Sequence, residues 1–356
     1  MASYPRISNN TPPASTSFVE IHQLKRKYEC HLRRAQGLST TTIDRRLANI
    51  DKLADFLGKA SIKTFSASVA IKYVDQALAY KNARTGKQRA LTTVVSELNH
   101  LKKFLIWLHS QPGYKSRIRI TDIQYLSVNR KDLRAARAKL KKGQPSIIEC
   151  RVAFDRMPKE TEAQMRDRAM FAMLMLTGAR IDALVTLQIR HLNLAGGFVM
   201  QCGSDSRTKN SKTFISGFFP IDKIYEKEIK AWRKYLLREK EFNDADPLFP
   251  TTKASKYFSK GKWEIISNEF YKGPGQPSRV ISNAFTLAIG ESHGPHSIRR
   301  TITKWVAENT QRQDQLKAAS LNLGHTEIKT TTSSYLHLTP EQQIQLVHEI
   351  GRKKKN

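Results

Sequence analysis

Two arginines, two histidines and a tyrosine stand at spacings that could cut a phosphodiester. His296-Ser297-Ile298-Arg299-Arg300 comes first, then Leu323-Gly324-His325, and Tyr335 follows ten residues after that histidine. Arg180 lies far upstream in Leu-Thr-Gly-Ala-Arg. Arginine forks neutralise non-bridging phosphate oxygens, histidine moves a proton, and a phenol can attack phosphorus. Such a set needs no metal.

His296 and Arg299 are three residues apart, just after Gly294-Pro295. That spacing predicts one face of a helix near its start, where backbone N–H groups favour a phosphate. Taken alone, H-x-x-R occurs by chance in many chains. His293 beside His296 hints at metal, but no carboxylate or cysteine cluster accompanies the pair, and no metal or other cofactor is expected. Arg180 follows an apolar run, Ala169 to Leu176, and the breaker Gly178. A fixed backbone there could aim the guanidinium inward, or the side chain could bond the last helical carbonyls. Gly324-His325 reads equally as a turn with a structural histidine, and Tyr335 as a core aromatic. The weight comes from all five groups together on a very basic chain.

The chain has 356 residues, 61 Lys+Arg against 31 Asp+Glu, a formal net charge of +30 and 39% hydrophobic residues. Its pI is near 10.1. Such a field attracts polyanions, and nucleic acid is the default partner. Cys30, Cys150 and Cys202 make neither a zinc spacing nor a disulfide framework, which fits a reducing cytoplasm. No apolar run is long enough to span a bilayer and the first residues lack a signal-peptide core, so no membrane partner is expected.

Four elements must carry the first half. Phe18, Ile21, Leu24, Tyr28 and Leu32 share one helical face ahead of Gly37. Ser39 opens a second helix with Ile43, Leu47, Ile50, Ala54 and Leu57, ended by Gly58. A third covers roughly 68–80, and a fourth carries Leu91, Val94, Leu98, Leu101, Leu105 and Leu108. Basic pairs such as Arg45-Arg46 recur on their polar faces and read as a DNA-facing surface. Residues 1–14 read as a flexible tail, 15–112 as a helical bundle, and 113–145 as a basic linker able to track phosphates. That linker holds Arg130, Lys131, Arg134, Lys141 and Lys142 as candidate DNA contacts. Residues 146–356 form the second domain, with strands at 198–202 and 213–221 joined by a polar loop, a last short helix from Pro340 to Ile350, and a basic tail. The fold class is mainly α, a helical bundle plus a mostly helical domain with a small antiparallel β-sheet.

These motifs resemble those of the tyrosine recombinases of the phage-integrase family, over roughly residues 17–350. Leu-Thr-Gly-Ala-Arg180 is similar to that family's first arginine motif, His296-Ser-Ile-Arg299-Arg to its H-x-x-R box, Leu-Gly-His325 to its second histidine and Tyr335-Leu-His-Leu to its nucleophile region. The resemblance implies a core-binding domain at 15–112 and a catalytic domain at 146–356. It also implies a catalytic lysine on a β-hairpin turn. Lys209 is assigned because it follows Arg-Thr, with Lys212 as the fallback. Two departures stand out. Ala183 occupies a position that is usually acidic, with Asp182 one residue early, and the interval from His325 to Tyr335 is one residue longer than usual.

The implied reaction has Tyr335 attacking phosphorus, His296 accepting its proton, and Arg180 and Arg299 clamping the phosphate. His325 bonds a non-bridging oxygen and Lys209 protonates the leaving 5′-hydroxyl. The implied product is a 3′-phosphotyrosine. The implied partners are double-stranded DNA carrying recombination sites, a homotetramer on two such sites, and accessory DNA-bending or directionality factors. The expected setting is a mobile element, in the cytoplasm and associated with the nucleoid. A type IB topoisomerase would share the chemistry, and a non-cutting sequence-specific DNA binder is the reading from a different class.

Overall fold

The computed structural model describes residues 16–83, 85–139, 143–203, 213–254, 264–310 and 312–324. The chain is mainly helical and divides into two compact units, Met1–Lys142 and Gly143–Asn356.

In the first unit, α1 (Thr16–Cys30) runs on into a π-helical turn, His31–Ala35, followed by α2 (Thr40–Leu57), α3 (Ala67–Ala79) and α4 (Leu91–His109). The apolar stripes behave as their spacing requires. Ile21, Leu24, Tyr28 and Leu32 are buried on the first helix, Ile43 and Ile50 on the second, and Val94, Leu98, Leu101, Leu105 and Leu108 on the fourth. Ser66 rather than Ser68 opens α3, its hydroxyl accepting from the Val69 N–H at 3.5 Å. One acid sits within this core. Glu97 is 3% exposed and accepts from the Tyr73 hydroxyl at 2.7 Å, Lys52 Nζ at 2.5 Å and Arg89 Nη2 at 2.5 Å.

The stretch read as a linker carries more structure than its composition announced. It holds α5 (Ile120–Ile123) and α6 (Arg130–Lys139), and Ile118, Ile123 and Leu126 join the first core. A single turn repeats no period, so isolated apolar residues gave no helical signal there. Strong helix formers, among them Leu, Ala, Arg and Lys, carry the basic α6.

The second unit is organised on α8 (Glu162–Thr177). A capping box starts it, with Thr161 accepting from the Gln164 N–H and Gln164 accepting from the Thr161 N–H. Every residue from Ala169 to Thr177 is buried. Two arginines on its first turns turn inward as well. Arg166 donates to the Pro250 carbonyl at 3.0 Å with its guanidinium over the Tyr271 ring, and Arg168 donates to the Phe154 and Met157 carbonyls. Around α8 pack α7 (Ile147–Asp155), α10 (Lys223–Arg238), α11 (Gly275–Ile289) and α12 (Pro295–Asn309).

A three-stranded antiparallel sheet flanks this core in the order β1 (Leu192–Asn193), β2 (Phe198–Gln201), β3 (Phe214–Gly217). Its register pairs Met200 with Ile215 and Phe198 with Gly217. A second pair, β4 (Thr252–Ala254) with β5 (Glu264–Ile266), had no sequence signal, because three-residue strands are too short to display alternation. The short α9 (Ile181–Leu184) and the polar α13 (Gln313–Asn322) are the remaining α-helices among the described residues. The helix expected from Pro340 to Ile350 lies outside the described residues. Among the described residues no helix is long and apolar enough to cross a membrane.

Candidate active site

The site grows from the C-terminal end of α8. Gly178 ends that helix in the left-handed region at φ 59°, its N–H bonded to the Leu174 carbonyl. A Cβ at this position would meet Leu323 Cδ2 at 2.6 Å, so a larger residue would displace that side chain as well as strain the backbone angle. The freed Gly178 carbonyl accepts from Arg299 Nη1 at 2.6 Å, and the other arm of that guanidinium, Nη2, donates to the Leu323 carbonyl. Arg299 is 3% exposed. Its fork is therefore set in direction by two main-chain carbonyls from distant parts of the chain.

Arg180 follows as the N-cap of α9, in extended backbone at φ −73° and half-buried. Ala183, at the usually acidic position, is buried, whereas Asp182 is exposed. Pro295 occupies the first turn of α12, where its missing N–H costs nothing; His296 follows on that turn and Arg299 opens the next. The expected shared face separates in depth, since His296 is exposed while Arg299 is buried. Partial burial, then the charges of Arg299, Arg300 and Arg180, hold the His296 imidazole below its ordinary pKa. A neutral imidazole among three guanidinium groups is suited to accept a proton while the cations hold an anion. His293 plays another part. It is buried edge-on against Phe285, with Nε2 3.3 Å from Glu291.

The end of α13 is bound to the sheet beside this cluster. The Gly217 N–H donates to Asn322 Oδ1 at 2.5 Å, Asn322 Nδ2 donates to the Gly217 carbonyl at 2.9 Å, and Ser216 Oγ donates to the Asn322 carbonyl at 2.8 Å. Gly324, at φ 65°, lies on the Phe214 ring, which a Cβ would meet at 2.6 Å. The sequence pattern gave no sign of Asn322 or of the carbonyls that hold Arg299. Lys209, its fallback Lys212, His325 and Tyr335 lie outside the described residues.

The first unit carries the other basic candidates. Arg45 is exposed and Arg46 half-buried on α2, where Arg46 Nη1 donates to Gln36 Oε1 at 3.2 Å. On α4, burial and then the charges of Arg46, Lys103 and Arg45 lower the pKa of His100. These cations therefore form one electropositive cluster across two helices. Lys103 and His100 were missed by sequence reading, although both fall on the polar face of α4. Arg130, Lys131 and Arg134 are exposed on α6, while Lys141 and Lys142 lie outside the described residues.

Residues 152–342, more than half of the chain, match the phage integrase family. The chain belongs to the phage integrase family. This family member is 30% identical over 182 residues to the tyrosine recombinase XerD of Oceanobacillus iheyensis, a match covering 50% of this chain and 52% of that protein. To XerD of Staphylococcus saprophyticus it is 25% identical over 184 residues, 52% of this chain and 54% of that one. The chain thus spans about half the length of the curated relatives it matches. In fold it is similar to a lambda integrase dimer bound to a COC′ core site, with a TM-score of 0.60 at 12% identity, over 88% of this chain and 94% of that one. The XerH recombinase bound to palindromic difH substrate in a post-cleavage complex has a TM-score of 0.57 at 15% identity, over 97% and 91%. A Tn1549 transposon integrase in complex with a circular intermediate DNA gives 0.57 at 14%, over 92% and 99%.

Proposed function

We propose that this chain is a site-specific DNA recombinase that cuts and rejoins DNA through a 3′-phosphotyrosyl intermediate. The observation that carries this reading is the gathering of Arg180, His296, Arg299 and Arg300 at the start of α12 beside the end of α8. Phosphoryl transfer is catalysed chiefly by positioning and by stabilising charge, which a pinned arginine provides.

Tyr335 is the nucleophile in this proposal. A phenol has a pKa near ~10, so it needs a base as it attacks. Its oxygen bonds to phosphorus, its proton passes to the neutral His296, and the P–O5′ bond breaks. Lys209 gives a proton to the departing 5′ oxygen, while Arg180, Arg299 and His325 hold the non-bridging oxygens. The phosphotyrosine ester conserves the bond energy, so the reverse attack by a 5′-hydroxyl rejoins DNA without ATP. Arg45, Arg46, Arg130, Lys131, Arg134, Lys141 and Lys142 would contact the phosphate backbone, positioning the duplex rather than reading bases. The division of labour is a core-binding domain at 15–112, a basic linker at 113–145 and a catalytic domain at 146–356. We place the chain in a mobile element, acting as a homotetramer on two DNA sites with accessory DNA-bending or directionality factors, in the cytoplasm at the nucleoid.

Covalent capture tests the reading. The protein and Tyr335→Phe are incubated with DNA flanking the gene, nicked so that the short cut fragment escapes, and protein-linked strands are resolved on denaturing gels. The expected result is an adduct with the unaltered protein alone, whose end sequence gives the cleavage site. Specific binding without any adduct would favour a non-cutting DNA binder. Relaxation of supercoils without strand exchange would favour a type IB topoisomerase.

A further inference from the structure

We infer that Asn322 is a positioning residue for phosphodiester cleavage, acting through Arg299; the inference rests on the recombinase reading above. Asn322 is the last residue of α13, and its side-chain amide pairs with both backbone groups of Gly217, at 2.5 Å and 2.9 Å. Gly217 closes β3, which has no partner strand on its outer side among the described residues. A primary amide presents an N–H and a carbonyl oxygen side by side in one plane, so it caps that strand edge as a further peptide group would.

The same residue is held through its main chain. Its carbonyl accepts from Ser216 Oγ, and Ser216 Oγ in turn accepts from Gln201 Nε2 at 2.8 Å. Ser216 and Gln201 are buried, so these bonds are shielded from exchange with water. Two residues further on, Gly324 rests on the Phe214 ring of the same strand. Residues 322–324 are thus fastened to β3 by side chain, by main chain and by packing.

Between those fastenings lies Leu323, whose carbonyl receives Arg299 Nη2. The direction of the guanidinium depends on that carbonyl and on Gly178. Helix α8 fixes the Gly178 carbonyl from within the core. The Leu323 carbonyl stands at the C-terminal cap of the shorter α13, where the Leu323 N–H bonds to the Ala319 carbonyl, and the Asn322 bonds fix that helix end to β3. A leucine or alanine at 322 would leave both Gly217 groups without the amide and let the Leu323 carbonyl move. Small displacements matter here, because catalytic groups must stand within about 0.5 Å of productive geometry.

A purely structural latch and a positioning residue make different predictions. Asn322→Ala removes the amide, whereas Ser216→Ala removes the bond to the Asn322 carbonyl together with the one from Gln201 Nε2, leaves the amide pairing with Gly217 in place, and serves if Asn322→Ala fails to fold. Each full-length variant is tested on a nicked duplex carrying the cleavage site sequenced from the covalent adduct. A second duplex has a methylphosphonate at the scissile position, where methyl replaces one non-bridging oxygen. That centre carries no charge, so neutralisation by arginine matters less to its cleavage. Asn322→Ala is expected to cleave the phosphodiester roughly 10- to 100-fold more slowly, with DNA affinity changed by less than about 2-fold. Ser216→Ala is expected to lie between it and the unaltered protein. On the methylphosphonate the deficit should shrink to less than about 3-fold, because the arginine has less charge to meet. Unchanged cleavage of the phosphodiester by both variants would overturn the inference, and so would a deficit of equal size on both duplexes. Absence of any adduct with the unaltered protein would instead remove the recombinase reading, and this inference with it.

Discussion

Arg299 donates to the main-chain carbonyl of Gly178 at 2.6 Å, across 121 residues of sequence. With Leu323 accepting from its other arm, the guanidinium is oriented before any phosphate arrives. Preorganised donors are the larger part of catalysis where charge develops on oxygen. The bond also ties the end of the most buried helix to the start of the helix bearing His296. A change at either end should reach the chemistry.

Arg299→Lys keeps the charge and loses the fork. An ammonium is a compact point charge and cannot bridge the Gly178 and Leu323 carbonyls in one plane. Cleavage should fall by about 100- to 1,000-fold, with DNA affinity nearly unchanged. Single-turnover cleavage and a binding titration would separate the two. A lysine variant as fast as the parent would refute the orienting role.

Gly178→Ala meets two obstacles, a positive φ and Leu323 Cδ2 at 2.6 Å from the new Cβ. Strain of both kinds should lower stability by about 1–3 kcal/mol. Because Leu323 must move, cleavage should slow beyond what the fraction unfolded explains. Urea unfolding of the full chain, followed by cleavage assays well inside the folded baseline, would show both effects.

The pH dependence of cleavage should carry the mark of His296. Burial and then Arg299, Arg300 and Arg180 favour its neutral form. A base so depressed stays unprotonated to lower pH, so the acid limb of the rate should lie below the ordinary imidazole range. Arg180→Gln removes one of those charges, and the limb should then move to higher pH as the overall rate falls. A limb that stays in place in Arg180→Gln would separate it from this interaction.

Glu97 gives the first unit a pH-dependent contribution of its own. Burial raises its pKa, but hydrogen bonds from Lys52, Tyr73 and Arg89 outweigh that and leave it lowered. A lowered folded pKa means stability that is present above the unfolded carboxyl pKa and lost as pH falls through the folded one. Glu97→Gln should cost roughly 2–3 kcal/mol at neutral pH, toward the low end for a buried ion pair because Lys52 is half exposed. The variant should also show a shallower loss of stability on acidification. Equal slopes for the two proteins in acid titrations of unfolding would count against the network.

The local structure around Arg180, His296 and Arg299 was legible because the features that mark it are local. Gly294-Pro295 announced a helix start, and His296 and Arg299 fall within its first two turns. The apolar run before Gly178 announced a buried helix with a left-handed end. Less legible was depth. Spacing of three residues places two side chains on one face without saying how far that face is covered, and here Arg299 is buried while His296 is exposed.

Residue types and their periods determined the helix faces of α1, α2 and α4, the buried α8, and a charge suited to nucleic acid. They also determined the order of the groups that could cut a phosphodiester. Tertiary structure alone decided that Arg299 is held by Gly178 and Leu323, that Asn322 edges β3, that Glu97 is buried among cations, and that Ile118, Ile123 and Leu126 belong to a core. The physical reason is that these arrangements use groups without a local signature. Every residue carries a carbonyl, and which one a distant guanidinium meets is set only when the helices and strands pack.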